Sequence, residues 1–284
     1  MNSKKFSLVI KKPIKDFRKQ IIVDSDKSIS IRSFLLGSIS QGASLVKNVL
    51  ESEDVFSTIN CLQKLNIKVL SLGNKTYKIF GKGLGSYKAK KASKLYFGNS
   101  GTLARLIIGI VTSTPNINLK IFGDKSLNKR SMKKLIILME SFGAEFYPKK
   151  KYFFPLRISS TNYPIGISYR SSTSAQLKSA VILAGLNSYG NTEIIENYKS
   201  RDHTENMLKK NNHAIKIING NSKKIKIFGK NNLDKFSINV PGDPSSAAFF
   251  TALTLLKKNS YLKIKKVGLN PTRIGFYSLL KKSG

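Results

Sequence analysis

"CLQKLNIKVLSLGNKTYKIFGKG", Cys61 to Gly83, is the stretch on which the fold turns. A helical pattern runs into Asn66, a common helix stop. A strand pattern follows, then a turn rich in Gly, Asn and Lys, then a second strand pattern. The same plan returns in "LMESFGAEFYPKKKYFFPLRIS" (Leu138–Ser159) and in "MLKKNNHAIKIINGNSKKIKIFGK" (Met207–Lys230). Repetition on this scale marks a recurring structural unit.

The residues upstream of each hairpin match as well. "IRSFLLGSISQGASLVKNV" (31–49), "LARLIIGIVTSTPNINLKIFG" (103–123) and "AQLKSAVILAGLNSYGNTEIIE" (175–196) each spell an apolar helix, a turn and a strand. Second helices follow in "EDVFSTINCLQKL" (53–65), "NKRSMKKLIILMESF" (128–142) and "RDHTENMLKKN" (201–211). With a leading strand before each first helix, the fold class is α/β (α+β), built from repeated βαβαββ units. Pseudo-threefold packing would bring equivalent helix starts to one face. A fourth unit is expected from Phe236, with a leading strand, two helices and a stop at Gly284, where the other units have their hairpin. The sequence is therefore expected to be cut in mid-unit, with a complete domain over residues 22–240 and the start of an incomplete second domain over 241–284.

Composition narrows the partners. The chain has 284 residues, 40% of them hydrophobic, enough for a sizeable core. No apolar run is long enough to span a bilayer, and "MNSKKFSLVIKKPIK" lacks the apolar core of a secretory signal. The single cysteine, Cys61, cannot form an internal disulfide, and a cytoplasmic setting is the default. It lies on an apolar helix face and reads as a buried structural thiol. Lys and Arg number 50 against 15 Asp and Glu, a net charge of +35. The lysines are spread over all element types without a dense basic tail. That pattern favours a general positive potential, which recruits small anions, over a dedicated nucleic-acid surface.

Each first helix opens with small polar residues: "DSDKSIS", "FGNSGT", "SSTSAQ" and "PGDPSSAA". Such starts cap a helix and leave amides free for an anion. Basic residues stand beside them. Lys27 and Ser28 open the first helix, with Arg32 one turn on. Asn99, Ser100, Gly101 and Thr102 form the next turn, followed by Arg105, and Gly101 lets a ligand approach the main chain. Arg130 offers a fork suited to carboxylate or phosphate. Ser174, Gln176 and Lys178 open the third first helix; Ser200, Arg201, Asp202 and His203 precede a second helix. "DKSISIR" (26–32) and "DKSLNKR" (124–130) are near-identical strings at non-equivalent places in their units. Two His and one Cys make no zinc site, and neither a P-loop nor a GxSxG elbow is present.

"DKSISIR", "LYFGNSGTLARLI", "GDKSLNKRSM", "SAQLKSAVILAGL", "SRDHTENML", "VPGDPSSAAFF" and "VGLNPTRIG" together resemble, in order and spacing, the motifs of the 5-enolpyruvylshikimate-3-phosphate synthase family. The resemblance runs from about Asp24 to Gly284. It implies two domains of three βαβαββ units each, closing on substrate, with segment 1–21 belonging to the second domain. It also implies enolpyruvyl transfer from phosphoenolpyruvate to the 5-hydroxyl of shikimate 3-phosphate, with no metal, no organic cofactor, no specific nucleic-acid or membrane partner, and a monomeric full-length protein. Carried over by motif, Lys27 and Arg130 stabilise the transition state and the phosphate. Ser28 and Arg32 bind the shikimate moiety, Arg32 at its carboxylate. Asn99 and Gly101 line the phosphoenolpyruvate site, and bulk at Gly101 would obstruct a phosphonate such as glyphosate. Ser174 and the Ala175 main chain hold the shikimate phosphate, Gln176 bridges both ligands, and Ser200 and Arg201 add phosphate contacts. Asp243 falls near the hinge. The proton-transferring carboxylates are expected beyond residue 284, so this chain alone is expected not to turn over. The sister transferase acting on a UDP-linked amino sugar is the alternative; its Lys-Asn start and loop Cys are not matched. The other alternative is a basic nucleic-acid-binding repeat protein.

Overall fold

In the computed structural model, residues 7, 9, 11, 14–90 and 92–283 are described. After strand β1 (Arg18–Ile22), the first unit comprises α1 (Lys27–Ile39), β2 (Ser40–Lys47), α2 (Glu53–Lys64), β3 (Lys68–Ser71) and β4 (Tyr77–Lys82). The second comprises β5 (Lys94–Tyr96), α3 (Gly101–Thr112), β6 (Asn118–Phe122), α4 (Lys125–Asn128), α5 (Lys133–Glu140), β7 (Glu145–Tyr147) and β8 (Leu156–Ser159). The third comprises β9 (Ser168–Ser171), α6 (Ala175–Gly185), β10 (Asn191–Glu196), α7 (His203–Leu208), β11 (Ile215–Ile218) and β12 (Lys223–Phe228). The remainder is β13 (Leu233–Asp234), β14 (Ser237–Asn239), α8 (Pro244–Leu255), β15 (Tyr261–Lys265) and α9 (Gly275–Lys282).

The repeat is visible in the sheets. The second runs β5-β6-β8-β7 and the third β9-β10-β12-β11, each with one parallel pair and an antiparallel hairpin. The first sheet has the same order, β2-β4-β3, but its parallel edge is supplied by β13 and β14 from far along the chain. The strand expected to open a fourth unit at Phe236 therefore completes the first. Meanwhile β1 pairs in parallel with β15, Arg18 opposite Tyr261. Pairing is decided by which edge is open: β2 would otherwise present a bare row of backbone groups.

Helices α1, α3 and α6 are buried around most of their circumference, so they sit inside and the sheets face outward around them. Their side chains Phe34, Leu35, Leu106, Ile107, Val181 and Ile182 are buried. Contact between α3 and α6 is backbone-close: a Cβ at Gly109 would lie 2.4 Å from the Ala180 carbonyl oxygen. Two hairpins begin, as expected, after left-handed residues at the helix stop, Asn66 (φ 65°) and Gly143 (φ 101°). The third stop works differently: Asn211 uses its side chain, whose Oδ1 accepts from the Asp234 amide at 2.9 Å. The second helix of the middle unit, read as continuous, is broken between Asn128 and Lys133 because the Met132 amide donates to the Tyr152 carbonyl. Arg130 lies in that break. In the last segment only Pro244 and Ala247 of α8 are buried, and no residue of α9. No helix among the described residues is long and apolar enough to cross a membrane.

Candidate active site

Parallel strands that end side by side deliver two loops to the same place. In the middle unit Tyr96 and Phe122 are partners at the ends of β5 and β6. The first leads to Asn99–Gly101 and the second to Asp124–Arg130. The two loops meet: Arg130 Nη2 donates to Asn99 Oδ1 at 2.7 Å. Arg105, one turn into α3, donates to the Gly101 carbonyl at 3.0 Å. A Cβ on Gly101 would stand 2.7 Å from Arg105 Nη1 and 3.4 Å from Arg130 Nη1. Burial and the neighbouring Arg130 both hold the Arg105 guanidinium below its ordinary pKa.

The third unit repeats the scheme. Ser171 and Glu196 are partners at the ends of β9 and β10, which lead to Ser174–Gln176 and to Ser200–Arg201. Gln176 Nε2 donates to Thr102 Oγ1 at 3.0 Å, stitching the start of α6 to the start of α3. Ser100 and Ser174 cap these helices through the amides of Leu103 and Leu177. Neither helix has an acidic residue in its first turn. Among the described residues, the amides of Gly101, Thr102, Ala175 and Gln176 donate to no protein oxygen. Two adjacent helix N-termini with open amides, the first with Arg105 and Arg130 beside it, offer donors and positive charge suited to an anion.

Helix α1 contributes as well, its Arg32 reaching Ser179 of α6. Asp26 caps it through the Ile29 amide at 2.9 Å. Lys27 is half exposed and pairs with Asp54 of α2 at 3.2 Å. Arg32 is buried: Nε donates to Thr204 Oγ1 (2.9 Å), Nη1 to the Ser28 carbonyl (3.1 Å) and Nη2 to Ser179 Oγ (3.2 Å). Burial pulls its pKa down to about 10, with Glu205 and Asp26 opposing, so it stays charged at neutral pH. Among the described residues, two of its five N–H groups meet no acceptor. Ser200 is buried, and its hydroxyl and amide both donate to Glu196 Oε1, at 2.6 and 3.0 Å. Arg201 is exposed.

The structure thus joins Asn99, Gly101 and Arg130 directly, and Gln176 to them through Thr102. It joins Arg32 to Ser28 and to α6. Lys27 turns to Asp54 instead of to these groups. Lys178, grouped by sequence with Ser174 and Gln176, is fully buried between Glu196 and Glu205, at 2.7 Å from each. A lone lysine in the apolar run "AQLKSAVILAG" was the signal for a buried counter-ion. His203 is neutral at pH 7: burial lowers its pKa to about 4. Its Nδ1 faces Asn270 Nδ2 at 3.4 Å, while Asp202 accepts from Asn270 and Thr272. Cys61 is buried, its thiol pushed up to about 12.

Sequence reasoning missed Arg273. It donates to Asp243 Oδ1 at 2.7 Å and to Ser245 Oγ at 2.8 Å, and lies 3.8 Å from Asp26. It ties the cap of α8 to the cap of α1. A cleft of about 460 Å³ opens beside it, bordered by Asp26, Ile29, His203, Met207, Phe236 and Leu269, and contains none of the expected ligand-binding residues.

Comparison with known proteins gives one answer. The family model described as EPSP synthase (3-phosphoshikimate 1-carboxyvinyltransferase) matches residues 11–284. A 3-phosphoshikimate 1-carboxyvinyltransferase of Leuconostoc mesenteroides is 40% identical over 266 residues, 93% of this chain and 60% of that protein. One from Bacillus subtilis is 40% identical over 267 residues, 93% of this chain and 61% of its own length. The solved EPSP synthase of Acinetobacter baumannii matches with a TM-score of 0.84 at 35% identity, over 94% of this chain and 60% of that one. The chain spans about 60% of the length of these relatives. With the motifs, the repeated sheets and the family model in agreement over nearly its whole length, the chain belongs to the EPSP synthase family.

Proposed function

We propose that this chain supplies the shikimate 3-phosphate site, and part of the phosphoenolpyruvate site, of an enolpyruvyl transferase. The reading is carried by the two stitched helix starts at Gly101 and Ala175, with open amides at both and with Arg105 and Arg130 beside the first. Ser174, the Ala175 amide, Ser200 and Arg201 take the ester phosphate. Ser28 and the free N–H groups of Arg32 take the shikimate moiety, its carboxylate at Arg32. Asn99, Gly101 and Arg130 receive phosphoenolpyruvate; Gln176 bridges the two, and Lys27 swings from Asp54 to the anions.

In the reaction, the 5-hydroxyl of shikimate 3-phosphate adds to C2 of phosphoenolpyruvate while C3 takes a proton. The tetrahedral adduct then expels phosphate to give the enolpyruvyl ether. Fixed cations and amides stabilise charge on the phosphate and on the adduct. Asp26 is held as the cap of α1, and proton transfer is assigned to groups outside this set. Residues 22–240 form the ligand-binding domain, and 241–284 with segment 1–21 form the start of a second, a division supported by the β1–β15 pairing. Residues 1–6, 8, 10, 12 and 13 of that segment, and Gly284, lie outside the described residues. The reading is of a cytoplasmic protein, monomeric at full length, with small-molecule partners and no dedicated nucleic-acid role.

Calorimetric titration with shikimate 3-phosphate tests this. The expected result is saturable binding without phosphate release when phosphoenolpyruvate is added. Thermal protection by random DNA, with none by millimolar shikimate 3-phosphate, would overturn it.

A further inference from the structure

Lys178 is the single charged residue in the helix "AQLKSAVILAG", and its side chain is 0% exposed. An unpaired ammonium there would cost several kcal/mol. It is held by two buried carboxylates, Glu196 and Glu205, each 2.7 Å away, and Lys223 reaches the same pair at 3.4 and 3.5 Å. Two charges of each sign cancel. Such a cluster is seldom more stabilising than apolar packing, so its value lies in what it fixes.

Glu196 ends β10 beside Ser171, which ends β9. Its Oε1 receives Lys178 from α6 and both donors of Ser200 from the following loop. One oxygen therefore clamps the Ser200–Arg201 loop to the helix whose start carries Ser174, Ala175 and Gln176. We propose that Lys178 and Glu196 are positioning residues for the phosphate end of the substrate, setting the Ser200–Arg201 loop against the N-terminus of α6. This rests on shikimate 3-phosphate being the ligand. Neither residue touches it. The Ser200 hydroxyl proton points at Glu196; when phosphate arrives the hydroxyl rotates to it, while the Ser200 amide stays anchored.

The double variant Lys178→Met/Glu196→Gln removes one charge of each sign. Calorimetry on the 284-residue chain compares shikimate 3-phosphate with shikimate, which lacks the phosphate. The double variant is expected to lose about tenfold or more for the phosphate ester and less than about twofold for shikimate. Equal loss for both ligands, or no loss, with wild-type binding intact, overturns the positioning role alone. Absence of wild-type binding overturns the function reading, and the positioning role with it. If circular dichroism shows the double variant unfolded, Lys178→Arg, which keeps the charge but changes the contact, is read against the same two ligands.

Discussion

At Gly101 there is room for a hydrogen and little else. In Gly101→Ala the new Cβ displaces the end of Arg105 at 2.7 Å and crowds Arg130. Guanidinium ends move easily, so the fold survives, but the cationic flank shifts. The expected outcome is unchanged thermal stability and about tenfold weaker binding of phosphoenolpyruvate or a phosphonate analogue, checked by titration in the presence of shikimate 3-phosphate. His203 gives a pH signature. Its folded pKa, about 4, lies below the ordinary 6.5, so the unfolded chain binds the proton first as pH falls. Its contribution is fully present above about pH 6.5 and declines towards pH 4, by at most about 3 kcal/mol. Burial pushes the Glu196 carboxyl up, but bonds from Lys178 and Ser200 outweigh it and leave it low, adding a further loss in acid. Urea denaturation across pH 4–7 should show the decline, and His203→Gln should flatten it.

Among the elements, α3 against α6 is the least forgiving. Gly109→Ala drives a methyl group into the Ala180 carbonyl, which is backbone and cannot turn aside. A loss of about 2–3 kcal/mol is expected, read as a lower midpoint in chemical denaturation. The repeated helix–strand–helix–hairpin order was legible because apolar periods and turn residues act locally. What was not legible depended on distant atoms. The break after Asn128 is made by the Tyr152 carbonyl; the parallel edge of the first sheet comes from β13 and β14; and Lys178 is defined by two glutamates outside its own helix. The site residues could be nominated from helix starts, but not that Lys27 would rest on Asp54 or that Ser200 would spend its proton on Glu196.

Over the whole molecule, a net charge of +35 surrounds the proposed site for small dianions. The field should concentrate such ligands, and salt should screen it. Raising ionic strength from about 0.05 to 0.5 M is expected to weaken shikimate 3-phosphate binding about three- to tenfold. Titrations at several salt concentrations check this; a flat response would confine recognition to short-range contacts. The pairing of β14 with β2 carries a consequence for biosynthesis. As the ribosome extrudes the chain from its N-terminus, the sheet made earliest waits for residues 237–239 before its edge is sealed. The later two sheets need no such delay. Nascent chains halted before that point should be the ones that chaperones and proteases engage, and release should follow once β14 emerges.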